Sequence, residues 1–180
     1  MNYILSDGNH REDLFPFTFT RPVSEIRVGI LTITEKWGKW LNASMSHQTE
    51  EYLSEKYPLM AGEENTVINS SYLPNEYLVE AIKNLKMGEA LIGRDGYIAY
   101  VTENLEISFE ESAYTAIPFD DEVLTIKNTW DIFSRNAEAL QADFDLVTKG
   151  RTSQPIPDTN QVKNPENIFI EEGASAEFCI

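Results

Sequence analysis

Tyr3-Ile4-Leu5-Ser6-Asp7-Gly8-Asn9 is a short apolar run that passes straight into four turn-forming residues, a strand feeding a loop at its C-terminal end. Thr66-Val67-Ile68-Asn69-Ser70-Ser71 repeats the arrangement further along. Helical periods lie between and after these strands. Val23, Ile26, Ile30, Ile33, Trp37 and Trp40 step by three or four and predict a helix opening near Val23, capped by Ser24 with Pro22 just outside. Glu76 to Leu85 predicts a second helix, with Leu78, Ala81, Ile82 and Leu85 on one face and Met87-Gly88 ending it. Strands alternating with helices point to an α/β domain.

Working outward, Leu41 to Glu64 is polar and reads as helix or loop. Glu89-Ala90-Leu91-Ile92 and Tyr97-Ile98-Ala99-Tyr100-Val101 flank Gly93-Arg94-Asp95-Gly96 and predict a β-hairpin. Leu105 to Phe109 and Val123 to Ile126 read as further strands. Trp130, Phe133, Ala137, Leu140, Phe144 and Val147 form a three-and-four stripe that predicts one helix from Trp130 to Val147, with Asn128 as cap and Asp131 in the first turn. Beyond Gly150 the chain turns rich in Ser, Pro, Thr and Asn. We therefore expect an α/β domain over 1–150, a linker over 151–167 and a distinct tail over 168–180. In that tail short β-branched pieces surround Gly173 and small residues. It looks like the opening of a truncated hexapeptide-repeat β-helix, a solenoid that needs about three stacked repeats to bury a core.

Composition narrows the function. The 180 residues carry a formal charge of −16, which opposes nucleic-acid binding because phosphate neutralisation needs clustered Lys and Arg. Arg11, Arg21 and Arg27 are the suggestive basic group, close together near the start. The single cysteine, Cys179, makes no internal disulfide, and no apolar run approaches the roughly 18 residues of a membrane span, so a cytoplasmic protein is expected. His10 and His47 have no visible Ser or Cys partner for nucleophilic chemistry.

The segment Leu14-Phe15-Pro16-Phe17-Thr18, followed by Arg21-Pro22, resembles the Arg-Leu-x-Pro-Leu-Thr run that follows the first strand of sugar-1-phosphate nucleotidyltransferases. Thr129-Trp130-Asp131-Ile132-Phe133-Ser134-Arg135-Asn136 is similar to the Trp-Asp-Leu-Leu-x-x-Asn stretch that joins such domains to a β-helix. Together with Thr20-Arg21-Pro22-Val23 through Glu35-Lys36-Trp37, these motifs make the chain similar to the GlmU-like sugar nucleotidyltransferase family. The sequence departs from the family pattern in its phosphate loop, which offers only Gly8, carries Asp13 where the family has Arg, and has Val23 near the place of its Lys. Glycines let backbone N–H groups close on a triphosphate and cations offset charge developing in transfer, so these departures bear on chemistry.

The resemblance implies an abbreviated Rossmann-like α/β sandwich with its site at the strand C-terminal ends, preceding the left-handed β-helix. It implies Mg²⁺, a nucleoside triphosphate and a sugar-1-phosphate as partners, with a UDP-N-acetylglucosamine or dTDP-glucose type product, and a longer protein trimeric through its β-helix. Carried over by position, Ser6, Asp7, Gly8, Asn9, Thr18 and Asn69 would bind substrate, Arg11, Arg21 and Arg27 would supply catalytic charge, and Asn69 would be a weak metal ligand. Two alternatives stand beside these roles: the arginines could pair with carboxylates, and Asn69 could cap a turn. For the whole domain the alternative is a catalytically degenerate nucleotide-sugar-binding module, or a scaffold for a β-helix acyltransferase.

Overall fold

The computed structural model describes residues 2–106 and 109–179. Six strands form one mixed sheet: β1 (Asn2–Ser6), β2 (Met45–Gln48), β3 (Asn65–Asn69), β4 (Glu89–Gly93), β5 (Gly96–Thr102) and β6 (Thr115–Pro118), in the order β2-β1-β3-β5-β4-β6. β2, β1 and β3 run parallel, β5 runs antiparallel to β3 and β4, and β6 is parallel to β4. The carboxyl ends of β1, β2, β3, β4 and β6 therefore share one edge of the sheet, together with the start of β5. The chain leaves β1 to one side for β2 and to the other for β3, which makes the carboxyl end of β1 a topological switch point, the usual ligand crevice of an open α/β sheet. The six-stranded mixed sheet is consistent with the Rossmann-like expectation, and the strands at Tyr3, Thr66 and the hairpin lie where the sequence placed them.

One face of the sheet carries the main core. Tyr3, Leu5, Ile68, Leu91, Ala99 and Val101 pack with Trp37, Leu78 and Ile82 of two helices, α1 (Ile33–Leu41) and α2 (Glu76–Lys83). The other face holds Ile4, Val67, Ala90, Tyr97 and Tyr100, against which Leu105, Phe109 and Tyr114 rest. Alternation of side chains along β1 and β3 decides which residue meets which cluster.

Four expectations need correction. The first helix opens ten residues later than Val23. Val23–Glu25 is a single 3₁₀ turn, Ile26 is extended, and Gly29 sits at φ 81°, so the chain between them cannot be helical. Thr32 is the cap: its hydroxyl accepts from Glu35 N–H at 3.2 Å while Glu35 reaches back to Thr32 N–H at 2.7 Å. The long helix is two, α3 (Thr129–Ser134) and α4 (Asn136–Thr148), broken at Arg135. The break resets the helical phase, leaving Trp130 67% and Phe133 88% exposed while Ala139 is buried. Val123–Ile126 makes only an isolated bridge, Thr125 with Tyr72. Of the strand expected over Leu105–Phe109, Ile107 and Ser108 lie outside the described residues, and Leu105, Glu106 and Phe109 are not in a strand.

Two strands went unforeseen. Met45-Ser46-His47-Gln48 is polar and lacks apolar alternation, and it becomes a strand through pairing with β1. Thr115-Ala116-Ile117-Pro118 is a largely exposed edge ended by proline.

The chain divides into two compact units, residues 1–141 and 142–180. In the second, no strand occurs among the described residues. Gln154 N–H donates to Ile170 O and Gln161 N–H to Cys179 O, both at 2.9 Å, and Asn160 bonds Ala176 O and Cys179 N–H. Arg151 pairs with Glu171 and lies over the Phe169 ring.

Candidate functional site

Two adjoining depressions open at the carboxyl edge beside β1. One, ≈ 540 Å³, is lined by Ser6 to Asn9, Arg11 and Glu12 of the β1 loop and by Gln48, Thr49 and Glu50 at the end of β2. The second, ≈ 460 Å³, shares Ser6, Asn9 and Gln48 with the first and is walled by Tyr97, Tyr100 and Phe109. Tyr97 stacks obliquely on Phe109 at 4.5 Å and meets Tyr100 edge-on at 5.4 Å, so the wall is a rigid aromatic cluster. Ser6 Oγ lies 3.1 Å from the Tyr97 hydroxyl and accepts from Gly8 N–H at 3.3 Å, which ties the loop to this wall. Burial pushes the Tyr97 phenol upward, and Asp7 adds to the effect against the Ser6 hydrogen bond, so the ring presents a neutral hydroxyl.

The β1 loop is held from beneath by a buried ion pair. Asp7 accepts from Val23 N–H at 2.7 Å, from Thr49 Oγ1 at 2.5 Å and from Arg11 at 2.6 Å. Arg11 also donates to Thr18 O at 2.5 Å and to the Tyr52 hydroxyl at 2.8 Å, with Glu50 at 3.6 Å. Thr18 completes the clasp by donating its hydroxyl to Arg11 O at 2.7 Å. Arg11, Asp7 and Thr18, expected to meet substrate, are instead spent on one another. Each charge and donor is satisfied internally, the condition under which a buried ion pair is tolerated.

Asn69 is likewise committed. Its carbonyl oxygen accepts from Ser71 N–H at 3.0 Å and its amide donates to Tyr97 O at 3.3 Å. A Cβ on Gly8, which sits at φ 62°, would stand 2.3 Å from that oxygen. The glycine is thus required twice, for its left-handed backbone and for its close approach, and the crevice between β1 and β3 is closed by this contact. Asn69 caps a turn and does not fit a metal ligand. Among the described residues, no group of three His, Cys, Asp or Glu could hold a metal ion.

The three arginines are not gathered around one ligand. Arg27 donates to Ile30 O and pairs with Glu35 at 3.5 Å at the start of α1. Arg21 is exposed, and neither it nor Arg27 lines either depression. Of the expected binding residues, Ser6, Asp7, Gly8 and Asn9 line the open space, and Asn9 is exposed. Gln48, Tyr97, Tyr100 and Phe109 join them unannounced. Gln48 lay in a polar stretch with no period, and the tyrosines read as ordinary strand residues.

His47 does have a serine partner, contrary to the sequence reading: its Nδ1 lies 2.9 Å from Ser24 Oγ. Both side chains are buried, and neither lines the depressions. Burial lowers the His47 pKa against the opposing pull of Glu25 and Asp7. The pair has no room for a substrate and serves packing.

No helix among the described residues is long and apolar enough to cross a membrane. A solved structure described as a glucose-1-phosphate thymidylyltransferase from Bacillus anthracis is similar, with a TM-score of 0.49 and 10% identity, over 78% of this chain and 95% of that one. No curated protein matches the sequence. The family model described as sugar nucleotidyl transferase matches residues 3–152, and with most of its length so matched the chain belongs to the sugar nucleotidyl transferase family.

Proposed function

We propose that the chain transfers a nucleotidyl group from a nucleoside triphosphate to a sugar-1-phosphate, giving a UDP-N-acetylglucosamine or dTDP-glucose type product and pyrophosphate. The observation that carries this reading is the double depression at the carboxyl edge, where Asn9 and Gln48 amides face an aromatic wall. Such a wall suits a nucleobase and the amides suit its polar edge. In the transfer, the sugar phosphate oxygen attacks the α-phosphorus in line as the bond to pyrophosphate breaks, and the protein contributes orientation and dipoles. The Ser6-to-Asn9 backbone, fixed by Asp7 and Arg11 below, is positioned to set that orientation. Among the described residues no group of three His, Cys, Asp or Glu would hold the ion by itself, so we read Mg²⁺ as arriving with the triphosphate and derive no protein-held step through it.

One observation favours a second reading, a nucleotide-sugar-binding module without turnover: the guanidinium nearest the depression, Arg11, is neutralised by Asp7. Pyrophosphate release over a matrix of nucleoside triphosphates and sugar-1-phosphates with Mg²⁺ separates the two. Turnover that Asn9→Ala and Gln48→Ala each cut at least about tenfold is expected for the transferase. Nucleotide sugar binding with no release supports the module.

In the second unit, residues 153–161 bond to residues 170–179 at separations near the roughly 18 residues of a three-hexapeptide coil. We read this tail as the opening of the β-helix, through which a longer chain would form trimers.

A further inference from the structure

The two depressions beside β1 are poorly matched in charge to a triphosphate. Asp7, Glu12, Glu50 and Glu111 line them, and Arg11, the guanidinium that lines them, is neutralised by Asp7. Neither Arg21 nor Arg27 lines either space, and Lys127 pairs with Asp95. A polyanion bound there calls for a further positive charge, most of all while negative charge builds on the departing pyrophosphate.

His10 is placed to supply it. It follows Asn9, which lines both depressions, and precedes Arg11 and Glu12, which line the larger. The loop also reaches over the carboxyl end of β3: Gly8 sits on Asn69, and His10 beyond it comes within electrostatic reach of Asp95 in the β4–β5 turn. Its Nδ1 lies 3.0 Å from Asp13 Oδ2. A carboxylate there accepts from Nδ1–H and leaves Nε2 for another partner, and among the described residues Nε2 has none. The charged groups around the ring are Asp13 from its own loop and Asp95 from the turn. Asp95 is held below the usual carboxylate range chiefly by its hydrogen bond from Lys127, with His10 and Arg94 adding to the pull. Both carboxylates are at least half exposed, so water screens them and neither neutralises the ring as Asp7 neutralises Arg11.

We propose that His10 is a catalytic residue of the transfer, its imidazolium donating from Nε2 to a phosphate oxygen of the bound nucleoside triphosphate, with Asp13 as the positioning residue that holds Nδ1. The sugar phosphate oxygen bonds to the α-phosphorus as the bond to pyrophosphate breaks, and the electron pair of that bond leaves with pyrophosphate. His10 keeps its proton throughout and acts as donor and charge. The catalytic role rests on the transferase reading, while the contact with phosphate rests on the placement of His10 alone. Only the protonated ring donates from Nε2, so kcat/KM should fall as pH rises through the titration of His10.

The test needs no turnover to begin. Proton NMR of the whole chain follows the His10 ring over about pH 5 to 9, told from His47, the second histidine, by its persistence in His47→Gln. Saturating dTTP or UTP with Mg²⁺ should raise the midpoint of the His10 titration by at least about one pH unit, a tenfold preference of the bound phosphate for the imidazolium. Pyrophosphate release then tests the role in transfer. His10→Gln should lower kcat/KM at least about tenfold on the acid side and flatten its fall with pH, while His10→Arg, charged at every pH, should restore most of it without the fall. Asp13→Asn should cost less than His10→Gln and keep the pH dependence. A His10 midpoint that neither triphosphate moves would overturn the proposal even in a chain that releases pyrophosphate, as would a His10→Gln profile that matches the parent's. A moved midpoint in a chain that never releases pyrophosphate would sink the transferase reading and leave His10 as the phosphate contact of a nucleotide-sugar-binding module.

Discussion

Arg11→Ala separates a structural arginine from a substrate-binding one. The Arg11 and Asp7 side chains are each 9% exposed and 2.6 Å apart. Removing the guanidinium leaves the Asp7 carboxylate with Val23 N–H and Thr49 but no counter-charge, and strips Thr18 O and Tyr52 of a donor. Breaking a buried pair in this way costs about 3–5 kcal/mol, a large fraction of the roughly 5–15 kcal/mol by which domains are stable. Adding Asp7→Asn removes the stranded charge while keeping an acceptor for Val23 N–H, so the double variant should recover about 1–2 kcal/mol. Urea unfolding measures both, with exposed Arg21→Ala as a control expected within about 0.5 kcal/mol of the parent. If Arg11→Ala lost less than about 1 kcal/mol while triphosphate affinity fell tenfold, Arg11 would face the ligand, and the account of the clasp would be wrong.

Gly8→Ala should cost about 2–4 kcal/mol, from its left-handed backbone and from displacing Asn69 off Ser71 N–H; pairing it with Asn69→Ala in a double-mutant cycle should reveal positive coupling. Thr32→Ala removes the cap of α1 and should lower the urea midpoint by the equivalent of about 1 kcal/mol; an unchanged midpoint would count against Thr32 as the cap. His47 is held neutral by burial, its folded pKa lying below the ordinary 6.5. The unfolded chain therefore binds the extra proton first, so stability is full above about pH 6.5 and declines as pH falls through that value toward the folded pKa. His47→Gln should flatten this part of the profile, and an unchanged slope would count against the assignment. Mg²⁺ alone should leave the thermal midpoint unmoved and raise it only together with a triphosphate; a rise with the ion alone would reveal a protein-held site.

Local sequence rules succeed here where neighbours along the chain decide the outcome. α2 opens at Glu76 with Leu78 and Ile82 on its buried face, and the Gly93–Gly96 turn closes its hairpin. They mislead where a competing local signal is stronger than the apolar period. Gly29 and the Thr32–Glu35 box override the Val23 stripe, and the α3–α4 break at Arg135 moves Trp130 and Phe133 to the surface. Among site residues, Ser6, Gly8 and Asn9 were legible because turn residues after a first strand have few other uses. Gln48 was not, since nothing local marks a polar tetrapeptide as the strand beside β1.

By itself, then, the sequence determined the α/β class, the two strand-to-loop junctions, the hairpin and the family. These depend on composition and on spacing within one element. Only the tertiary structure decided that Arg11 is spent on Asp7 and that Asn69 closes on Gly8. Whether a charged or polar side chain is free for a substrate depends on partners brought near by the sheet, such as Asp7 and Thr49 across β1 and β2. That pairing follows from strand order, which no short-range pattern carries.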